Sequence, residues 1–452
     1  LSSDGNTALI GASWADVVAG VGTNNSTNYN QGAAYVFTRG GGWSEQAKLI
    51  ASDGATNDWF GSSVALSSDG NTAIIGASWA DVGVSTNQGA VYVFTQGGGW
   101  SEQAKLIASD GAEGDYFGQV ALSSDGNTAL IGVHMSGYAN QGAGYVFTRY
   151  LGNWSEQKKL TVAAWTAGDY FGWSVALNSD GNTALIGAYP AVVGSVMSGA
   201  GYVFTRSGTA WTQQATLTAA DGAEWDDFGY SVALSSDGNT ALIGALDADV
   251  GGNADQGAGY VFTRSGTSWS QQAKLAALDG TAYDYFGHSV ALSGDGNTAL
   301  ITEPGWIYST NQGAGYVFTV TASSKIGPII KANGATNNVT VNYPETVSIT
   351  VEMNADIYAG AEVDWWVVAY AHSVGCYYLN SAMQWTPFSG DLAFCRPVYQ
   401  SALFNLSSTP VLSGFVLPRG TYDFWFAVDY PMDGVLDPNG QILYDKVTIV
   451  VQ

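Results

Sequence analysis

Three segments of the sequence approach the Gly-x-Ser-x-Gly pattern in which many hydrolases present a serine nucleophile. They are Gly172-Trp173-Ser174, Gly229-Tyr230-Ser231 and Gly287-His288-Ser289. The pattern works where a strand turns into a helix and a base lies beside the serine. Each segment instead opens a strand-like run, and the three histidines of the chain leave no copy with an obvious base. We therefore expect these serines to be structural, and we predict no catalytic residue.

Carboxylates precede several Phe-Gly pairs, and paired carboxylates can transfer protons or hold calcium. In most copies an Asp-Gly turn followed by a second Asp that caps the loop explains the pattern. One group is denser and remains a candidate calcium site: Asp221, Glu224, Asp226 and Asp227.

A second candidate calcium site lies near the end of the chain. Asp429, Asp433 and Asp437 occupy positions 1, 5 and 9 of a calcium-loop frame with glycine at 6, and Asn439 follows. However, Pro431 and Gly440 replace the ligands expected at positions 3 and 12. The alternative is a turn between a strand that ends at Val428 and one that begins near Ile442. If calcium binds here, titration calorimetry should show one weak site that is lost in Asp433→Ala.

Aromatic residues also lie in loops whose length and sequence differ from one repeat to another. Such loops gather on one face of a propeller, where aromatic rings could stack on sugars or contact a partner protein. The alternative is ordinary loop packing. The candidate ligand-binding residues are Trp14, Trp79, Tyr138, Tyr189, Trp306 and Tyr308.

These residues lie within a repeat that dominates residues 1–320. The motif Asp-Gly-Asn-Thr-Ala recurs six times, with the aspartate at Asp4, Asp69, Asp125, Asp180, Asp237 and Asp295. Each unit of about 55 residues holds four strand-length runs: Phe-Gly-x-Ser-Val-Ala-Leu, Thr-Ala-Leu-Ile-Gly, Gly-Tyr-Val-Phe-Thr and Trp-x-x-Gln-x-x-Leu. Four antiparallel strands per unit predict a propeller blade.

These motifs resemble FG-GAP repeats, the β-propeller units also found in integrin α chains, and their wording is most similar to bacterial extracellular FG-GAP proteins. The resemblance implies a propeller, usually with seven blades, whose surface serves adhesion or protein contact. Calcium-binding members carry several acidic residues in the turn after the first strand. Here that turn holds one carboxylate, which is too few for a calcium cage.

The motifs account for 22 strands, whereas six complete four-stranded blades need 24. We therefore predict six blades, with seven as the family's usual number, and two strands that this count leaves unfilled. An incomplete blade presents open strand edges that can pair with another chain. Either the sequence is trimmed, or residues after Thr319 supply the two strands, or a neighbouring subunit does. The last alternative predicts self-assembly into a fibre or layer by strand completion between subunits.

After a predicted linker at 321–330, residues 331–452 read as a separate β-sandwich. Its strand-like runs include 346–351, 363–369 and 422–428, set among turn signals. The chain has two cysteines, Cys376 and Cys395, which we interpret as a disulfide of an exported protein.

The composition restricts the partners. Fourteen Lys plus Arg against 38 Asp plus Glu give a net charge of -24, which argues against nucleic acid and anionic membrane surfaces. No run is apolar enough to insert into a membrane. We therefore expect a non-enzymatic, extracellular or cell-surface protein that acts through contacts with other proteins or copies of itself. The alternatives are a glycan-binding module and, less favoured, a propeller hydrolase or lyase; no cofactor other than calcium is expected.

Overall fold

The computed structural model describes residues 1–19, 26–135, 141–163, 168–193, 196–304, 313–320, 327–334, 339–354, 362–372, 375–389, 397–402, 406–430 and 441–452. The chain divides into two compact units, Leu1–Ala322 and Ser323–Gln452. The described residues form β-strands and no helix, which confirms the predicted all-β class. Within those residues there is no helix of the length and apolarity needed to cross a bilayer.

The strands of the first unit follow the repeated words of the sequence. In chain order they are β1 (Thr7–Ala12), β2 (Val17–Ala19), β3 (Ser26–Asn28), β4 (Ala33–Arg39), β5 (Trp43–Leu49), β6 (Phe60–Leu66), β7 (Thr72–Ala77), β8 (Ala90–Gln96), β9 (Trp100–Leu106), β10 (Gln119–Leu122), β11 (Thr128–Val133), β12 (Ala143–Tyr150), β13 (Asn153–Leu160), β14 (Ser174–Leu177), β15 (Thr183–Ala188), β16 (Val192–Val193), β17 (Val196–Met197), β18 (Ala200–Ser207), β19 (Ala210–Leu217), β20 (Phe228–Leu234), β21 (Thr240–Ala245), β22 (Ala258–Ser265), β23 (Ser268–Leu275), β24 (Ser289–Leu292), β25 (Thr298–Glu303) and β26 (Ala314–Thr319).

These strands form six antiparallel sheets in sequence order. The first is β1-β4-β5, the next four are β6-β7-β8-β9, β10-β11-β12-β13, β14-β15-β18-β19 and β20-β21-β22-β23, and the sixth is β24-β25-β26. The short pairs β2-β3 and β16-β17 are hairpins in the loops that follow the second strand of a blade. The fold is thus a β-propeller built from the predicted strands.

In the Ser-Asp-Gly-Asn turn of each repeat, the single carboxylate accepts the hydrogen bonds that hold the turn together. In the second sheet, the Ser67 hydroxyl donates to Asp69 at 2.6 Å, and the Asn71 amide donates to the same carboxylate at 3.0 Å. Each turn also hydrogen-bonds to the turn of the next sheet through backbone atoms, as the Ser68 amide does to the Ser124 carbonyl at 3.0 Å. The aspartate therefore organises a tight turn, and the turns link the sheets in series.

Two contacts repeat at the core of each blade. Phe117 is fully buried and packs edge-on against Tyr145 and Phe147 of the same sheet, with ring centroids 5.7 and 6.1 Å apart. At the seam between sheets, a Cβ on Gly76 would lie 2.0 Å from the Gly118 carbonyl oxygen of the next sheet. A side chain at this position would force the sheets apart, so the glycine of Ile-Gly sets the spacing of the blades.

The sixth sheet departs from this pattern. Leu300 is 41% exposed and Val317 is 71% exposed, whereas the matching Leu242 and Val261 of the fifth sheet are 0% and 1% exposed. Thr302 stands where the preceding sheets have the seam glycine. The outer face of this sheet therefore lacks the neighbour that the other faces have.

The second unit contains two further sheets. Its strands are β27 (Gly327–Ala332), β28 (Val339–Val341), β29 (Val347–Asn354), β30 (Glu362–Ala371), β31 (Gly375–Leu379), β32 (Trp385–Phe388), β33 (Tyr399–Ala402), β34 (Leu406–Phe415), β35 (Gly420–Tyr430) and β36 (Gln441–Val451). One sheet has the order β27-β29-β34; the other has the order β28-β36-β35-β30-β31-β32, with β33 also paired to β30. Buried residues of both sheets, among them Ile330, Val351 and Phe426, form one hydrophobic core.

Two details of the second unit bear on the sequence analysis. The predicted linker at 321–330 is too long, because β27 begins at Gly327 and Ile330 of that strand is fully buried in the core. Cys376 lies half-buried on β31 and forms no disulfide with any residue that the structure describes. Cys395 falls outside the described residues, so the disulfide stays a prediction.

Candidate ligand-binding face

Aromatic residues converge at one end of the propeller sheets from two positions in the repeat. The first position is the residue just before or just after the Phe-Gly pair, and the second follows the end of the next strand. Because Phe60 pairs with Ala77 across β6 and β7, Trp59 and Trp79 emerge at the same end of their sheet. The same antiparallel pairing places the equivalent residues of the other sheets at that end.

The rings touch one another from sheet to sheet and form what we term the aromatic track. Its successive centroid separations are Trp14 to Trp59 6.3 Å, Trp59 to Trp79 4.5 Å, Trp79 to Tyr116 5.1 Å, Tyr116 to His134 5.7 Å, His134 to Trp173 4.9 Å, Trp173 to Tyr189 4.6 Å, Tyr189 to Tyr230 5.1 Å and Tyr230 to His288 5.2 Å. The track thus crosses all six sheets of the first unit.

Two track residues, Trp59 and Tyr116, and their equivalents in the later repeats have a backbone conformation that side chains rarely adopt. The residue before Phe-Gly is left-handed in the second to the sixth repeat: Trp59, Tyr116, Tyr170, Asp227 and Tyr285 have φ of 57°, 56°, 48°, 56° and 56°. This conformation costs a non-glycine residue about 1–2 kcal/mol, and glycine or asparagine would adopt it more easily. Four of the five positions nevertheless carry an aromatic ring. Strain of this kind often accompanies a functional requirement.

A cleft of about 470 Å³ opens beside the first part of the track. The half-buried rings of Trp59 and Trp79 form its apolar part, with an interplanar angle of 32°. Its polar lining consists of Asn30, Thr56, Asn57, Asp58, Asp81, Thr86 and Asn87. The cleft therefore combines aromatic faces with neutral hydrogen-bonding groups and two carboxylates.

The two carboxylates of the cleft have structural partners. Asp58 accepts a hydrogen bond from the Ala55 amide at 2.7 Å, and Asp81 accepts one from the Asn87 amide at 2.9 Å. Burial raises the pKa of Asp58 to about 6, against the effect of the Ala55 amide and with a contribution from the Asp81 charge. Asp58 is therefore mainly ionised at neutral pH and gives the cleft negative charge.

A second acidic pair lies farther along the track. Asp227 shares a hydrogen bond with Asp247. Burial, followed by the charge of Asp247, raises the pKa of Asp227 to about 7. Burial and the charge of Asp255 raise the pKa of Asp247 to about 6. Burial also raises the pKa of the neighbouring Tyr189 and Tyr230, with Asp227 adding to both shifts.

The acidic group proposed for calcium is dispersed among different partners. Asp221 forms an ion pair with Lys274 at 2.7 Å, Asp226 accepts from the Ala223 amide at 2.8 Å, and Asp227 bonds to Asp247. Glu224 is exposed. Across the described ranges, no three Asp, Glu, His or Cys side chains are grouped as metal ligands. Most of this group therefore serves turns and the links between sheets.

The other candidate calcium loop is a hairpin connection. Asp429 lies on β35 opposite Ile442 of β36, which agrees with the turn interpretation of this stretch. Asp433, Asp437 and Asn439 fall outside the described residues, so calcium binding here stays a prediction.

The serines of the Gly-x-Ser segments are used at the seams. Ser174 donates to the Gly229 carbonyl at 2.8 Å, and Ser231 donates to the Gly287 carbonyl at 2.7 Å. Each hydroxyl therefore joins one sheet to the next, in agreement with the structural role expected from the sequence.

The structure brings three of the six predicted aromatic residues together in the track: Trp14, Trp79 and Tyr189. Tyr138, Trp306 and Tyr308 lie outside the described residues. The sequence analysis missed the rings that connect them, namely Trp59, Tyr116, His134, Trp173, Tyr230 and His288. Their signal was available, because the residues flanking Phe-Gly are aromatic in repeat after repeat.

The serial four-stranded sheets, the Phe-Gly seams and the turn-to-turn hydrogen bonds define a repeat β-propeller. The FG-GAP repeat family model matches residues 43–94, 100–147, 154–204, 211–262 and 269–318, which is more than half of the chain, and the protein therefore belongs to this family. FG-GAP repeats are typical of extracellular or surface proteins and suggest a protein-interaction module.

Comparison with solved structures finds matches at low sequence identity. Kuenenia stuttgartiensis hydrazine synthase is 14% identical with a TM-score of 0.42, over 64% of this chain and 78% of that one. TolB from Acinetobacter baumannii is 12% identical with a TM-score of 0.36, over 64% and 57%. A putative 6-phosphogluconolactonase from Bacteroides uniformis is 11% identical with a TM-score of 0.41, over 70% and 86%. A search of the curated proteins found no significant match.

Proposed function

We propose that this is a non-enzymatic extracellular or cell-surface protein whose propeller binds a ligand through the aromatic track. The observation that carries the proposal is the unbroken series of ring contacts across six sheets. Propeller packing alone does not require it, because the second to the sixth blade each have their own Phe, Tyr and Phe core.

The chemistry of the track favours binding over catalysis. His134 is packed between Tyr116 and Trp173, and burial lowers its pKa to about 4, so it is a neutral ring at physiological pH. Two of the three serines in the Gly-x-Ser segments, Ser174 and Ser231, donate to carbonyl groups across the seams. Half-buried aromatic rings at a protein surface, in contrast, supply contact area at low entropic cost.

The test compares ligand capture by variants at the two ends of the propeller sheets. The full chain is immobilised and screened against arrayed glycans and extracellular proteins. We expect ligands whose binding is lost in a Trp79→Ala, Tyr230→Ala double variant. Trp43→Ala is the matched control, since Trp43 is 48% exposed at the opposite end of its sheet, where it pairs with Arg39. Equal binding by the double variant and the control would contradict the proposal.

Self-assembly is a second candidate, favoured by the uncovered face of the sixth sheet. Leu300 and Val317 are exposed there although their counterparts are buried at every inner seam. Light scattering should show oligomers that Val317→Asp dissociates; a monomeric wild-type protein would exclude this function.

A further inference from the structure

We propose that the cleft at Trp59 and Trp79 binds a neutral sugar unit of an oligosaccharide, with the packed indole pair offering a ring face to its C–H groups and the surrounding amides and hydroxyls bonding its hydroxyl groups. The inference rests on the proposed function, because the cleft is part of the aromatic track. It adds the position of the site and the chemical class of the ligand.

The size and walls of the cleft suit a small amphipathic ring. Its volume of about 470 Å³ falls in the range of small-ligand pockets. The ring centroids of Trp59 and Trp79 lie 4.5 Å apart at 32°, so the two indoles pack partly face to face and present one aromatic surface at the cleft. A pyranose presents an apolar C–H face and a rim of hydroxyl groups, so it needs an aromatic surface and a polar edge together. The cleft supplies both within one set of residues.

The polar edge has unused hydrogen-bonding capacity. Asn57 accepts from the Asn30 side chain at 3.1 Å, which leaves its own NH2 group to donate. In the described part of the chain, the side-chain amide of Asn87 makes no hydrogen bond within the protein; its backbone amide donates to Asp81 and its backbone carbonyl accepts from the Tyr116 amide. An amide offers both donors and an acceptor, which matches a sugar hydroxyl that also donates and accepts.

Charge selects against acidic sugars. Asp58 and Asp81 line the cleft, and the whole chain carries a net charge of -24. The ring at the next sheet along the track, His134, is packed among aromatics rather than presented as a cation. A uronate, sialate or sulfate group would therefore meet like charge with no compensating lysine or arginine in the cleft lining. A neutral hexose avoids this repulsion.

A proline-rich peptide also stacks on tryptophan, but the lining fits it less well. Such peptides dock their rings in aromatic grooves and offer few hydrogen-bond donors. Here the other lining residues are asparagine, threonine and aspartate, without an aliphatic side chain. The polar lining would stay unsatisfied under a peptide and is satisfied by hydroxyl groups.

The experiment is titration calorimetry of the full chain with neutral oligosaccharides built from glucose, mannose or galactose, with oligogalacturonate as the acidic probe and a proline-rich peptide as the third. We expect a neutral oligosaccharide to bind. Trp59→Ala and Trp79→Ala should each weaken it about tenfold or more, the loss expected for about 1.4 kcal/mol of stacking. Trp79→Phe should keep part of the affinity, and Trp43→Ala should leave it unchanged. Unfolding midpoints of the variants verify that they fold.

Each other result has a defined meaning. Tighter binding of oligogalacturonate or of the peptide, or unchanged affinity in both tryptophan variants, would overturn the inference. Loss of a glycan in Tyr230→Ala but not in Trp59→Ala would place the site elsewhere on the track and leave the proposed function standing. If no saccharide binds while an extracellular protein is captured through the track, the sugar site is wrong and the proposed function holds.

Discussion

The seam glycines offer a direct test of how the propeller is spaced, and Gly76→Ala is the simplest perturbation. Gly76 lies within β7 and has no left-handed φ, so alanine suits its backbone. The only obstacle is space. The new Cβ would lie 2.0 Å from the oxygen, 2.9 Å from the carbonyl carbon and 3.2 Å from the Cα of Gly118. All three are backbone atoms, which cannot rotate away.

The cost follows from the distance that the sheets must move. Cβ contacts below 3.0 Å are essentially never seen, so the second and third sheets must separate by about 1 Å. A gap of that size forfeits up to about half of the dispersion energy of the facing atoms. Overpacking costs about 1–3 kcal/mol. The seam hydrogen bond from the Phe117 amide to the Gln88 carbonyl, 2.9 Å long, adds about 0.5–1.5 kcal/mol if lost. We expect about 2–4 kcal/mol of destabilisation in total.

The assay is urea unfolding of the full chain, followed by tryptophan fluorescence. Gly97→Ala is the matched control, because a Cβ there meets nothing within 4 Å and should change the free energy of unfolding by less than about 0.5 kcal/mol. Thr302→Gly should be similarly mild, since the sixth sheet has no neighbour at that position. If Gly76→Ala were as stable as Gly97→Ala, the sheets would be separable at little cost and the reasoning would be refuted.

Three further predictions concern single groups. Burial raises the pKa of Asp227 in the folded protein, so this group favours folding below pH 4 and loses that contribution as the pH rises to about 7. The free energy of unfolding of Asp227→Asn, relative to that of the wild type, should therefore increase between pH 5 and pH 8. A constant difference between the two proteins would contradict this prediction. Asp110→Ala removes the partner of the buried Tyr145 hydroxyl and should cost about 1–3 kcal/mol in urea unfolding, whereas Lys159→Met removes only a partly exposed ion pair and should cost under about 1 kcal/mol. If Cys376 and the other cysteine form the predicted disulfide, mass spectrometry should find both resistant to alkylation until a reductant is added.

The repeated part of the fold could be predicted because its signals are local. Strand-length motifs such as Thr72-Ala73-Ile74-Ile75-Gly76 alternate with turn residues, and their repetition fixes the strand order. In the second unit, β34 was not among the predicted strands; it contains Pro410, a residue unfavourable in central strands, which pairs with Thr350 of β29. A neighbouring strand can accommodate such a residue, and the sequence does not reveal which neighbour will be present.

The candidate site was predictable only in part, because it depends on contacts between repeats. Trp14 and Trp79 were chosen as loop residues, but the ring that connects them, Trp59, belongs to the start of a strand. Its contacts come from residues 45 positions before it and 20 positions after it in the chain. The left-handed φ that turns Trp59 toward this face is likewise not evident from its residue type, because tryptophan disfavours it. Side chains that gather across a seam are visible only once the seam exists.

Thr302 gives the repeat array a direction in which it can evolve. If a duplicated repeat were inserted between two inner sheets, its Phe-Gly strand would face the seam glycine of the preceding sheet. Its own seam glycine would face the Phe-Gly strand of the following sheet. A repeat added beyond the sixth sheet would instead press its Phe-Gly carbonyl against the Cβ of a threonine. Growth by duplication is therefore permitted in the interior of the array and sterically closed at this end, so changes in blade number should arise from within.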